Sequence, residues 1–139
     1  MVLQGAANIN SHKEEINNLN VFPIPDGDTG DNMHMTIAAG CSRAKSDVLT
    51  EAADEMAKGM LLGARGNSGV ILSRIFAGIA DGICSCAENE LPVDGFVKAL
   101  QCGVRESYGA VSNPVEGTIL TVFINNFNSI ICWNKWFSN

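Results

Sequence analysis

Apolar residues recur at three- and four-residue spacings along most of the chain. The broadest stripe is Ile71, Leu72, Ile75, Phe76, Ile79, Ala80 and Ile83. That spacing places them on one helical face and predicts a central helix over 68–88. Phe96, Val97, Leu100, Val104 and Tyr108 predict a helix over 93–111 facing the same core. Ala52, Ala53, Met56, Met60 and Leu61 predict the buried side of a helix over 51–62, with Thr50 as its N-cap. Residues 2–19 carry a thinner stripe of Leu3, Ala6, Ala7, Ile16 and Leu19. Ser11 and Glu14 have capping-box spacing, so a break is expected near Asn10. A helix over 31–46 and another from Thr118 bring the total to about six. No stretch alternates with period two for long enough to be a strand. The expected fold class is all-α.

Three loops interrupt this pattern, and each feeds a predicted helix. The first is Asn20-Val-Phe-Pro-Ile-Pro-Asp-Gly-Asp-Thr-Gly-Asp-Asn-Met33. Pro23 and Pro25 fix φ and favour extended neighbours, while Gly27 and Gly30 permit turns. Asp26 and Asp28, two apart in such a turn, can converge on a hard cation, since carboxylate oxygen is what Mg²⁺ prefers. An acidic turn with no ligand is the plainer reading. An EF-hand fails on spacing, because its sixth position is Asp31 rather than Gly and its twelfth is Ile37 rather than Glu. Asp31 is a third nearby carboxylate. It either helps to hold a metal or repels phosphate. His34, alone on its helix, reads as a surface or satisfied core residue.

The second loop is Gly63-Ala-Arg-Gly-Asn-Ser-Gly69, and the third is Ser112-Asn-Pro-Val-Glu-Gly117. A glycine-rich entry into a helix offers free amides and the positive end of a dipole, a combination that binds phosphate. The second loop is not a Walker A loop, because it lacks Gly-Lys-Ser/Thr. Thr118 is either an N-cap or a phosphate contact.

Taken in order, LNVFPIPDGDTGDNM, Leu62-Gly-Ala-Arg-Gly-Asn-Ser-Gly-Val-Ile-Leu-Ser73 and Pro114-Val-Glu-Gly-Thr-Ile-Leu-Thr-Val122 resemble the DAK2 (DhaL-like) family. The first is most similar to the ATP-binding subunit of bacterial fatty acid kinase. The resemblance covers roughly 1–122. It implies a partial antiparallel helical barrel of the DhaL type that binds Mg-ATP. It also implies transfer of the γ-phosphate to an acceptor, either a fatty acid or a dihydroxyacetone-like molecule, held by a separate protein subunit. By the same resemblance Asp26 and Asp28 are metal ligands, as is Asn20 with a one-residue offset. Thr29, Gly30, Asn32, Asn67, Ser68, Gly69, Gly117 and Thr118 would line the nucleotide. No residue reads as a catalytic base, and an ionised carboxylate acceptor needs none.

Composition narrows this further. A net charge of −6 with no basic patch excludes a nucleic-acid surface. An odd count of five cysteines without a CxxC pair argues for reduced thiols and a cytoplasmic chain. Arg74 interrupts the longest apolar run, so no membrane span is expected. Charged residues are only 17%, which leaves apolar surface for a partner or a homo-oligomer. Residues 123–139 shift to asparagine and tryptophan without acids and read as a divergent tail. The rival expectation is therefore a truncated, non-catalytic remnant with weak or no nucleotide binding.

Overall fold

A computed structural model describes residues 2–21, 24–86 and 90–137. Phe22 and Pro23 of the first loop, the 87–88 end predicted for the fourth helix and the last two tail residues lie outside these. The described chain is helical and contains no strand. Its helices are α1 (Val2–Asn18), α2 (Thr29–Arg43), α3 (Leu49–Leu62), α4 (Gly66–Cys86), α5 (Val93–Gly109) and α6 (Ile119–Phe137).

Consecutive helices pack antiparallel. Lys13 of α1 lies over Gly30 of α2, Gly40 of α2 over Met56 and Met60 of α3, and Gly82 of α4 over Ala99 of α5. α4 touches α2, α3, α5 and α6, as its broad apolar stripe requires. Ile37, Met56, Met60 and Leu72 form the core, with Met60 fully buried. Val2, Ala6 and Ile9 of α1 and Ile119 of α6 pack against this cluster. Among the described residues α1 and α6 do not meet, so the ring of helices is open.

The α4–α5 seam is built from small residues. A Cβ on Gly78 would overlap the Cys102 carbonyl, and one on Gly82 would overlap the Ala99 backbone. The two backbones therefore approach more closely than larger side chains would allow. Glu55 of α3 accepts hydrogen bonds from the Lys45 and Ser46 amides, at 2.7 and 3.2 Å, and so ties down the α2–α3 connection. Those amides hold the Glu55 carboxyl below its ordinary range.

Several expectations change. α1 runs unbroken, and Ser11 donates to the Ala7 carbonyl (3.0 Å) instead of starting a new helix. Leu3 and Leu19 are exposed, while Val2, Ala6 and Ile9 face the core, because α1 has a single neighbour, α2. α2 starts two residues before Asp31. α3 begins at Leu49 after Val48, so Thr50 is inside the helix rather than its cap. Leu61 is exposed. α4, at 21 residues, is long and apolar enough to cross a membrane by length and composition, despite Arg74. Its residues Leu72, Ile75, Ala80 and Ile83 are buried among its neighbours, the placement of a core helix. α6 continues through Val122 without a break. All five cysteines are free.

Candidate functional site

Two helix entrances stand side by side. Asn32 of α2 lies against Gly66 of α4, and Thr36 of α2 lies against Gly69. Both pairs ascend together, so α2 and α4 run parallel and begin at the same end. Gly66 has φ +57, and a Cβ there would overlap the Asn32 side-chain amide. Only glycine satisfies both constraints at low cost. Thr36 is fully buried. Its hydroxyl donates to the Asn32 carbonyl (2.7 Å) and accepts the Arg65 amide (3.1 Å). It thereby fastens the second loop to α2.

The third loop joins the same end. Ile119, the first residue of α6, packs on the cluster that contains Ile37 and Leu72. Leu72 is about 9 Å along α4 from Gly66, at 1.5 Å per residue. Gly117 turns the chain with φ +81, and its amide donates to Thr121 Oγ1 (2.9 Å). The Thr118 hydroxyl donates to the Val115 carbonyl (2.8 Å). A phosphate would have to compete for that hydrogen.

In the first loop Gly27 (φ +66) bends the chain between Asp26 and Asp28, and both aspartates are exposed. Asn20 donates from its side-chain amide to Asp26, which keeps all three predicted metal residues in one loop. Asp28 occupies the N-cap position of α2, yet its carboxylate makes no capping bond. Among the described residues there is no cluster of three or more His, Cys, Asp or Glu. Two carboxylates with open positions fit Mg²⁺, which usually takes one or two carboxylates and completes its octahedron with water and phosphate.

Asp31 has both of its oxygens engaged by α1. Asn17 Nδ2 donates to it at 2.8 Å and Lys13 Nζ at 3.1 Å, one to each oxygen. The Asn17 hydrogen bond and then Lys13 hold its carboxyl below the ordinary value. Asn17 Oδ1 also accepts the Gly30 amide at 2.7 Å and the Asp31 amide at 3.3 Å. The α2 entrance is therefore closed by a side chain from α1. The α4 entrance is open: the Gly66, Asn67 and Ser68 amides have no hydrogen-bond partner among the described residues, and the intrahelical ladder begins with Gly69 donating to the Arg65 carbonyl. Ser68 is half-buried, and Asn67 and Arg65 are exposed. Thr29 is half-buried, and Gly30 and Asn32 are buried.

The structure thus brings together the first- and second-loop candidates, with the third loop at the same end. Sequence reasoning missed Asn17, Lys13 and Thr36. Thr36 left a faint signal: Asn32, Thr36 and Gly40 repeat every four residues on the buried face of α2. His34 departs from the satisfied reading, because its Nδ1 is buried and unpartnered among the described residues.

An all-α bundle with an acidic loop and two further helix-feeding loops at one end defines a class of domain, and the comparisons with known proteins name it. The DAK2 domain family model matches residues 23–130, so the chain belongs to that family and is a kinase-related domain. An uncharacterised protein of Staphylococcus epidermidis is 46% identical over 125 residues, 88% of this chain and 22% of that protein. Uncharacterised proteins of Staphylococcus haemolyticus and Staphylococcus aureus are 45% and 44% identical over the same coverage. The chain spans about a fifth of the length of these relatives.

Proposed function

We propose that this domain binds Mg-ATP and presents its γ-phosphate to an acceptor held by another protein or domain. The observation that carries this reading is the open entrance of α4 beside the two exposed carboxylates of the first loop, Asp26 and Asp28. Three free amides at a helix start favour an anion. Asp26 and Asp28 would hold Mg²⁺, which when bound offsets the phosphate charge. Asn20 would orient Asp26 from behind. Ser68 and the Gly66–Ser68 amides would take phosphate oxygens, and Gly69 would let the backbone come close. Thr29 and Asn32 line the side shared with the acidic loop, and Gly117 and Thr118 would close the third side.

Phosphoryl transfer needs positioning and charge stabilisation rather than a protein nucleophile. The first-loop residues therefore suffice without a base, provided that the acceptor arrives ionised. A carboxylate acceptor meets that condition, which favours a fatty acid, as in fatty acid kinase, over a dihydroxyacetone-like alcohol. The exposed apolar residues Leu19, Val21 and Ile24 flank the acidic loop and suit an acceptor-carrying partner. The five free thiols suit a cytoplasmic setting.

Calorimetric titration with ATP, with and without Mg²⁺, tests the reading. Metal-dependent binding that disappears in Asp26→Asn/Asp28→Asn is expected. Binding of ATP that ignores both metal and mutation would remove the first loop from the site.

A further inference from the structure

We infer that Asn17 is a positioning residue that caps α2 from another helix and so frees Asp28 for a cation. This extends the cation-binding reading of the first loop and depends on it.

An aspartate at an N-cap ordinarily folds its carboxylate back onto the second and third amides of its helix. In α2 those amides belong to Gly30 and Asp31. Both are already bonded to Asn17 Oδ1, at 2.7 and 3.3 Å. Asp28, with φ −118 and ψ 2, makes no side-chain cap bond. Only its carbonyl enters the helix, accepting the Asn32 amide at 2.9 Å.

The amide orientation of Asn17 follows from its surroundings. Its oxygen faces two N–H donors and its nitrogen faces the Asp31 carboxylate (2.8 Å), so the flipped amide would oppose like with like at every contact. Asn17 is 9% exposed. Lys13, one turn earlier, completes the contact by taking the other Asp31 oxygen at 3.1 Å. Gly30 lets α1 come close enough, since a Cβ there would overlap the Lys13 carbonyl. Asp31 is thus the anchor that orients Asn17, and Asn17 does the capping that would otherwise occupy Asp28.

A residue that only supported the fold would change stability and leave cation affinity alone. Mn²⁺, added without nucleotide and followed by its free-ion paramagnetic resonance signal, reads affinity directly. Asn17→Ala should weaken Mn²⁺ binding about five- to tenfold, the equivalent of one N-cap interaction, as Asp28 turns back onto the vacated amides. The exchange Asn17→Asp/Asp31→Asn keeps an oxygen on the amides and a donor–acceptor pair between the two positions. It should restore affinity to within about threefold.

Titrations of folded Asn17→Ala and wild type that superimpose would overturn the inference. So would a folded exchange variant that has lost Mn²⁺, which keeps the test decisive if the alanine variant does not fold. Absence of Mn²⁺ binding in the wild type, matched by Asp28→Asn, would instead reject the cation reading itself and this inference with it.

Discussion

The α2 and α4 entrances are built from similar sequence and end up opposite in chemistry. Each follows a glycine-containing loop, and each starts at the same end of the bundle. At α2 the second and third amides, of Gly30 and Asp31, are consumed by Asn17. At α4 the first three amides are left without partners among the described residues. A helix start is therefore not a phosphate site by virtue of its glycines. What decides is whether a neighbouring helix supplies a cap. Capped, α2 leaves its carboxylates to a cation. Uncapped, α4 offers its dipole to an anion.

Replacing the carboxylates breaks the α2 side of this comparison outright. Asp26→Asn/Asp28→Asn should lower Mg²⁺-dependent ATP affinity by more than about a hundredfold, beyond the loss expected from an outer-shell partner. Calorimetry measures it. On the α4 side, Gly66→Ala forces a side chain into φ +57 and against Asn32. Strain of this kind costs about 1–3 kcal/mol. ATP affinity should fall roughly tenfold or more if that strain is relieved by shifting the loop. Unchanged affinity would show that the phosphates do not use the α4 amides.

Thr36→Val sharpens the comparison at the joint between the two helices. It removes the acceptor of the Arg65 amide and leaves a part-buried donor unpaired, which should cost about 1–3 kcal/mol. Urea unfolding should show a lower midpoint with an unchanged slope.

The smallest effect concerns pH. The Asp31 carboxyl lies below 3.8 because Asn17 and Lys13 bond its ionised form. Its contribution to stability is therefore present above about 3.8 and is lost as pH falls through the lower folded value. Asp31→Asn should have a shallower acid-unfolding limb below that pH and little change in slope above it. Identical acid limbs would mean that Asp31 is not engaged.

The helical class, the central α4 and the three loops were legible because apolar spacing and glycine clusters are local signals. The stripe from Ile71 to Ile83 predicts a many-sided neighbourhood, and α4 has one. The α1 stripe misled because periodicity says which face is apolar, not how many helices will cover it. With α2 alone beside it, Leu3 and Leu19 stay exposed. The residues that shape the site were less legible. Asn17 and Thr36 are polar, so periodicity assigns them to solvent, yet both are buried by partners 13 and 29 residues away. Asp31 was illegible for the same reason, since Lys13 and Asn17 reach it from another helix. Gly78 and Gly82 lie outside the apolar stripe that sequence reasoning followed, and they set the α4–α5 spacing.

The most direct measurement follows backbone amide resonances while Mg-ATP is titrated into labelled protein. The Gly66, Asn67 and Ser68 amides should shift most. The Gly30 and Asp31 amides, already bonded to Asn17, should move little and stay protected from exchange. The reverse pattern, with Gly30 and Asp31 released and the α4 amides silent, would contradict the division between a closed entrance and an open one.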